Sequence, residues 1–228
     1  MASRAQIEGA RVQADGLGTI YVIDDDGEVR TALSFLLRSM NAHSWPFAGG
    51  RDFLDGLDGL SPGLVLLDMR MPDPDGLGVL RELRRRNINW PVIAITGHGD
   101  VKLAVNAMKL GAFDFLEKPI EDEDLGSVLE RGFAELCRRR AARERMDAAR
   151  SRLDTLTARE IFVLKAIVEG KGNKEIASAA DISVRTVEMH RQNLIKKLGV
   201  RNTAEAAACA VEAGLVASEY ERPAELDD

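Results

Sequence analysis

The chain has 228 residues, 45% of them hydrophobic and 30% charged, which is typical of a globular protein with one large or two small domains. No run approaches the roughly 20 apolar residues that a membrane helix needs. The amino terminus lacks an apolar signal-peptide core, so we expect a cytoplasmic protein without a membrane segment. The net charge of −6 disfavours nucleic-acid binding by the whole chain, but residues 151–218 carry 10 basic and 8 acidic side chains and form a positive segment.

The first half of the chain alternates short apolar runs with amphipathic ones. Residues 1–18 are predicted to form a flexible arm. Strands are then predicted at residues 19–23, 43–47, 64–67, 92–96 and 112–116, with a helical pattern after each. This alternation predicts βαβ units and a five-stranded parallel sheet, and therefore an α/β domain.

Polar side chains follow the predicted strands, at the points where the strands end. Asp24 and Asp25 follow the first strand, Asp68 the third, Thr96 ends the fourth and Lys118 follows the fifth. The carboxyl ends of parallel strands meet at one edge of the sheet, where ligands bind in such folds. One aspartate at a strand end is more often a helix cap or a turn residue. Three together repel one another, and a hard cation with oxygen ligands, such as Mg²⁺, offsets that repulsion.

The same constellation suits phosphoryl chemistry. A carboxylate beside a bound cation can act as a nucleophile towards a phosphoryl group. A hydroxyl such as that of Thr96 and an ammonium such as that of Lys118 can then hold the phosphoryl oxygens. Taken alone, Thr96 or Lys118 is more simply a turn residue or a surface charge. The five polar residues at the strand ends together indicate a phosphoryl site.

A long helix is predicted from residue 123. Its apolar face must pack on the sheet or on a partner helix, and its residues are Leu125, Val128, Leu129, Phe133 and Leu136. The face fades into the run 138–145, where basic and acidic residues are mixed. We interpret that run as part of a solvated helical linker at 139–153 rather than as a nucleic-acid patch.

The carboxy-terminal region contains helix signals only. Thr157 and Glu160 have the spacing of a capping box, and Ser183 is the predicted cap of a helix at 184–198. With a short helix at 174–180 and a three-residue turn, this predicts a small all-α helix-turn-helix domain at 154–218, before an acidic tail at 219–228.

The second helix of this motif carries a polar and basic face. If its amino-terminal half enters the major groove, Glu188, Met189 and Gln192 are the candidates for reading bases. The exposed face also offers Arg191. The candidates for phosphate contacts, which position the protein without reading sequence, are Lys174, Arg185, Lys196 and Lys197.

Residues 19–138 resemble the receiver domain of response regulators. The matching segments are 19–26, 64–72, Ile-Thr-Gly-His-Gly-Asp at 95–100 and Phe-Asp-Phe-Leu-Glu-Lys-Pro at 113–119. The resemblance implies a flavodoxin-like fold, with Asp68 as the phospho-acceptor. It places Asp25, Asp24, Asp68 and the backbone carbonyl of Arg70 around Mg²⁺. It also gives Thr96 and Lys118 the phosphoryl-binding roles, and matches Phe115 to an aromatic that changes rotamer on activation. A core residue is the alternative for Phe115, and the sequence alone does not separate the two.

Residues 157–216 resemble the LuxR-type helix-turn-helix, and the two domains in this order are similar to the FixJ/NarL branch of two-component response regulators. That resemblance implies a regulator rather than an enzyme. Its expected partners are a sensor histidine kinase, double-stranded promoter DNA and, as a further candidate, RNA polymerase. It also implies a homodimer on phosphorylation, formed through the fourth helix, fifth strand and fifth helix of the receiver.

Two other functions are alternatives to this one. A phosphatase-like enzyme also uses an aspartyl nucleophile, a metal and a lysine, but Arg70 stands where one such class has a second aspartate. A receiver that only docks to another protein, with DNA binding lost, is disfavoured by the basic residues of the second helix.

Overall fold

The computed structural model describes residues 18–72, 74–97 and 99–215. The chain forms two compact units that divide between Arg139 and Arg140. Apart from Gly18, the predicted arm lies outside the described residues, and so does the whole acidic tail. Among the residues that are described, no helix is long and apolar enough to cross a membrane.

The first unit is built on five strands, β1 (Ile20–Ile23), β2 (Ser44–Phe47), β3 (Leu64–Asp68), β4 (Val92–Thr96) and β5 (Asp114–Glu117). They form a parallel sheet with strand order β2-β1-β3-β4-β5. The helices are α1 (Gly27–Ser39), α2 (Gly50–Gly56) followed by a 3₁₀ turn (Leu57–Gly59), α3 (Gly76–Arg85), α4 (Val101–Lys109) and α5 (Asp122–Leu153). The predicted parallel α/β architecture is confirmed.

The central strands are buried on both faces of the sheet. Every residue of β1, β3 and β4 is buried, and successive side chains enter opposite layers of the core. Val65 and Leu67 pack in the layer that contains Tyr21, whereas Leu64 and Leu66 pack in the other layer. Continuous apolar runs are what a sheet covered on both faces requires, which is why the strands could be located from sequence.

The apolar face of α5 belongs to the core of the first unit. Leu125, Val128, Leu129 and Phe133 are buried in the same cluster as Leu64, and Leu136 packs against that cluster. Gly132 allows the close approach, because a Cβ there would collide with Cδ1 of Leu64. Of the two alternatives for this face, packing on the sheet is the one observed, and a partner helix is wrong for its buried residues.

Helix α5 continues without a break past the end of the first unit. Its middle turns carry ion pairs at i,i+4 spacing, Arg140 to Glu144 at 2.9 Å and Arg143 to Asp147 at 3.0 Å. In its last turns, Ala149 and Leu153 are buried in the core of the second unit. The segment at 139–153 was predicted as a linker outside both domains, but its final residues are part of the second core.

The second unit is wholly helical. It contains α6 (Ala158–Val168), α7 (Asn173–Ala180), α8 (Val184–Leu198) and α9 (Thr203–Glu212). The predicted capping box is present, since Thr157 Oγ1 accepts from the amide of Glu160 and the Glu160 carboxylate accepts from the amide of Thr157. Ser183 caps α8 by accepting from the amide of Thr186 at 3.1 Å. Helices α7 and α8 form the predicted helix-turn-helix.

Candidate functional site

The predicted polar residues lie at the carboxyl edge of the sheet because the strands end there. Asp24 follows β1, Asp68 and Thr96 are the last residues of β3 and β4, and Lys118 follows β5. Asp24, Asp68 and Thr96 are only 1%, 5% and 3% exposed. Burial of two carboxylates is costly unless each finds a partner, so their contacts define the site.

Lys118 bridges the two buried carboxylates. Its Nζ donates to Oδ2 of Asp24 at 3.0 Å and to Oδ1 of Asp68 at 2.8 Å. The second oxygen of each carboxylate accepts from a backbone amide, that of Asp26 for Asp24 and that of Arg70 for Asp68, both at 2.9 Å. The site therefore holds both acids in fixed orientations, with an ammonium between them.

Opposing effects set the charge states of this bridge. Burial raises the pKa of Asp68, and the hydrogen bond and charge of Lys118 offset that rise only in part. Burial alone lowers the pKa of Lys118, but its hydrogen bonds to Asp68 and Asp24 and the charges of both acids together outweigh burial, so its pKa is raised. Lys118 therefore remains a cation at neutral pH, where it compensates the charge of the acids.

The acids also fit a divalent cation. Asp24, Asp25 and Asp68 each offer a carboxylate oxygen, and these three oxygens lie within 4.8 Å of one another. Asp25 is exposed, so water can reach the cluster. Mg²⁺ binds through one or two carboxylates while keeping several waters, and this donor set suits it. The carbonyl of Arg70 as a further ligand stays a prediction.

Thr96 and Phe115 take no part in the hydrogen bonds that link Lys118 to the two buried acids. The Thr96 hydroxyl donates to the backbone carbonyl of Leu116 at 3.4 Å. The Phe115 side chain is 47% exposed. A cavity of about 300 Å³ between α4 and β5 is lined by both residues and by the partly exposed Val105 and Met108. Thr96 and Phe115, for which linked roles are predicted, therefore line the same cavity.

One interaction near the site was missed by the sequence analysis. The guanidinium of Arg70 makes two hydrogen bonds to Asp100, from Nε to Oδ2 at 2.8 Å and from Nη2 to Oδ1 at 2.5 Å. The pair joins the loop after β3 to the start of α4. No local sequence signal indicates it, because the two residues are 30 positions apart.

The predicted DNA-contacting residues are mostly exposed, as a binding surface requires. Exposed positions are Lys174, Arg185, Glu188, Met189, Gln192, Lys196 and Lys197. Val184 and Asn193 are also exposed on α8 but were not among the predicted DNA contacts. The helical periodicity of the buried Val187, Leu194 and Leu198 indicates that both lie on the exposed face.

Two of the predicted contacts are engaged inside the second unit. Arg191 Nη1 donates to Oδ1 of Asn173 at 2.9 Å and so connects α8 with α7. Lys197 Nζ donates to the buried carboxylate of Glu160 at 2.7 Å. These contacts favour positioning roles within the domain for Arg191 and Lys197, which leaves Lys174, Arg185 and Lys196 as the stronger phosphate candidates.

Known proteins share both parts of this arrangement. Residues 20–130 match the family described as response regulator receiver domain, and residues 154–210 match the bacterial regulatory proteins of the luxR family. The transcriptional regulatory protein FixJ of Bradyrhizobium diazoefficiens is 41% identical over 208 residues, which cover 87% of this chain and 97% of that protein. The response regulator protein TodT of Pseudomonas putida is 36% identical over 192 residues, covering 84% and 85%.

Solved structures agree with these matches. The response regulator StyR is similar with a TM-score of 0.69 and 37% identity, over 85% of this chain and 98% of that one. Full-length FixJ from B. japonicum gives a TM-score of 0.54 and 40% identity, over 87% and 98%. The chain therefore belongs to the two-component transcriptional response regulators that join a receiver domain to a LuxR-type DNA-binding domain.

Proposed function

We propose that Asp68 accepts a phosphoryl group from the phosphohistidine of a sensor kinase. An oxygen of the Asp68 carboxylate attacks phosphorus, a new O–P bond forms, and the P–N bond breaks. The imidazole of the kinase leaves with the electron pair of that bond and takes up a proton. The observation that carries this proposal is the orientation of the Asp68 carboxylate between Lys118 Nζ and the Arg70 amide, at 2.8 and 2.9 Å.

The neighbouring residues have separable roles in this transfer. Asp24, Asp25, Asp68 and the carbonyl of Arg70 would hold Mg²⁺, which supplies positive charge to phosphoryl oxygens when bound. Lys118 is already within hydrogen-bond distance of Asp68, so its ammonium needs little displacement to reach a phosphoryl oxygen. Thr96, at the end of the adjacent strand, would donate its hydroxyl to another phosphoryl oxygen after leaving Leu116.

The proposed output of the receiver is dimerisation through α4 and β5. A shift of Thr96 towards the phosphoryl group would open the cavity beside it to the ring of Phe115, which lines the same cavity. The surface there includes exposed apolar side chains, with Val101 at 70%, Val105 at 46% and Met108 at 42% exposure. Phosphorylation shifts the population only if the dimer prefers the changed surface, which is the differential affinity that we propose.

The second unit would bind promoter DNA with α8 in the major groove. Glu188 can accept from cytosine N4, Gln192 can pair with adenine, and the exposed Met189 can contact a thymine methyl group. A single copy of this domain offers few phosphate contacts. Two copies held together gain effective concentration, so dimerisation would raise promoter affinity.

Labelling with a small phosphodonor tests the acceptor. In the presence of Mg²⁺ and acetyl phosphate, the wild-type chain should gain one phosphoryl group of about 80 Da by mass spectrometry. Asp68→Asn, which is nearly isosteric and cannot act as a nucleophile, should gain none. Excess chelator should abolish labelling of the wild type. Equal labelling of both chains would place the acceptor elsewhere.

A further inference from the structure

Asp100 occupies the N-cap position of α4 but does not cap it. Its backbone has φ −80° and ψ 40°, and its carboxylate makes no hydrogen bond to the first-turn amides. By contrast, Asp26 caps α1 and Asp75 caps α3 through their side chains. Aspartate is among the best N-cap residues, so the absence of this bond at α4 needs a cause.

The Asp100 carboxylate is instead engaged by Arg70, which donates to both of its oxygens. The side chain of Arg70 is 71% exposed and that of Asp100 is 17% exposed. An exposed ion pair of this kind contributes little stability and can exchange partners. The Asp100 carboxylate thus has the guanidinium of Arg70 and the backbone amide of Gly97 as partners, and the amides at the start of α4 compete with them.

Arg70 is also tied to the acceptor. Its backbone amide donates to Oδ2 of Asp68 at 2.9 Å. The side chain that carries the guanidinium is therefore attached to a backbone that contacts the acceptor carboxylate. Conversion of Asp68 to an acyl phosphate adds about one negative charge beside Arg70, with strong acceptor oxygens. Arginine binds such oxygens in a bidentate manner, as it binds the Asp100 carboxylate now.

We propose that Arg70 exchanges Asp100 for the phosphoryl group when Asp68 is phosphorylated, and that the released Asp100 then caps α4. The inference rests on the proposed phosphorylation of Asp68 and adds a path from that event to α4. Capping orders the first turn of the helix that carries Val101 and Val105, which are part of the proposed dimer surface. Arg70 is thus a positioning residue that acts on α4 through Asp100.

Amide hydrogen exchange measured by NMR tests this exchange of partners in the full chain. An N-cap carboxylate at position 100 reaches the amides of Lys102 and Leu103, and Lys102 is the reporter because the Leu103 amide already donates to the backbone carbonyl of Asp100 at 2.9 Å. In the wild type the Lys102 amide should exchange several-fold more slowly once Mg²⁺ and beryllofluoride are added. In Arg70→Ala, Asp100 is free of its guanidinium partner, so the Lys102 amide should already be slow without beryllofluoride.

Two matched variants complete the test. Arg85 has the same 71% exposure and a comparable pair of hydrogen bonds to Glu82, at 2.7 Å each, so Arg85→Ala should behave as wild type. Asp100→Ala should show no slowing in any state. Arg70→Ala should also bind beryllofluoride about two- to five-fold more weakly, because it lacks one solvent-exposed ionic contact to that ligand.

The outcomes separate this inference from the proposed function. If beryllofluoride does not bind at Asp68 of the wild type, the proposed function is overturned and the inference with it. If it binds but leaves the exchange rate of the Lys102 amide unchanged, only the exchange of partners is wrong. Wild-type exchange rates in Arg70→Ala without beryllofluoride, or persistent slowing in Asp100→Ala, would also overturn it.

Discussion

The ammonium of Lys118 lies 2.8 Å from Oδ1 of Asp68, although 50 positions separate the two residues in the chain. The same ammonium also reaches Asp24. Lys118 therefore compensates the negative charge of two buried carboxylates. Its ammonium also lies close enough to Asp68 to contact a phosphoryl group attached there.

Removal of this ammonium should slow phosphoryl transfer to Asp68. Lys118→Ala takes away a charged donor directed at the acceptor, and loss of one such donor typically costs about 10²–10³ in rate. We expect labelling by acetyl phosphate to slow by at least about tenfold, allowing for water at this partly exposed site. Lys109→Ala, which changes an exposed lysine of α4, is the control and should label as wild type. Equal rates for both variants would contradict the role of Lys118.

The raised pKa of Asp68 predicts a pH-dependent stability difference between wild type and Asp68→Asn. An acid whose folded pKa lies above its unfolded value destabilises the fold while it is ionised. Asp68→Asn should therefore be more stable than wild type in urea at neutral pH. The difference should shrink as the pH falls through the raised folded pKa, because wild-type Asp68 then becomes protonated. A difference that grows on acidification would show that the ionised carboxylate is favourable in the fold.

Lys196 and Lys197 are adjacent and should behave differently. Lys197→Ala leaves the carboxylate of Glu160, which is 3% exposed, without its ammonium. We expect a cost of about 1–2 kcal/mol in unfolding free energy, below that of a fully buried pair because Lys197 is 37% exposed. Burial alone would raise the pKa of Glu160, but hydrogen bonds from Lys197 and Thr157 lower it. The stabilisation should therefore be lost as the pH falls through that lowered pKa.

Lys196→Ala should change DNA binding and leave stability alone. Its side chain is exposed, so we expect weaker binding to all sequences and a salt slope shallower by about one unit. Urea unfolding and salt-dependent binding isotherms on both variants distinguish the two roles. If Lys197→Ala instead makes the salt slope of binding shallower and leaves the unfolding free energy unchanged, Lys197 contacts DNA phosphate.

Gln192→Ala tests sequence reading by α8. Loss of a bidentate contact to adenine should weaken binding to the promoter by about 1–3 kcal/mol and leave non-specific binding unchanged. Titrations against promoter and scrambled DNA at one salt concentration measure both quantities. A uniform loss on both DNAs would mean that Gln192 contacts the backbone and that α8 is rotated in the groove.

The sequence was sufficient to locate the site because its residues are tied to strand ends. Asp68, Thr96 and Lys118 each follow or end an apolar run, and parallel strands bring such ends together whatever the loops between them do. The caps at Thr157 and Ser183 were equally accessible, since both ends of each interaction lie within three residues.

Interactions between distant residues were not accessible in this way. Arg70 with Asp100, and Lys197 with Glu160, join positions 30 and 37 residues apart, and only the packed fold brings them together. The contact of Lys197 with Glu160 was therefore not predicted, and the contact of Lys197 with DNA stays a prediction. The partner of the α5 face that contains Leu125 could not be predicted for a similar reason. The periodicity of that face shows that it is buried, but it does not show whether the sheet or another helix buries it.

The central claim is that phosphorylation of Asp68 controls promoter binding, and binding isotherms test it most directly. Promoter affinity is measured for the full-length wild type and for Asp68→Asn, each with and without Mg²⁺ and acetyl phosphate. We predict that wild-type affinity rises by about tenfold or more, as expected when two copies become linked, and that Asp68→Asn does not respond. An equal response in both proteins, or an unchanged affinity in a wild type shown to be phosphorylated, would contradict the account.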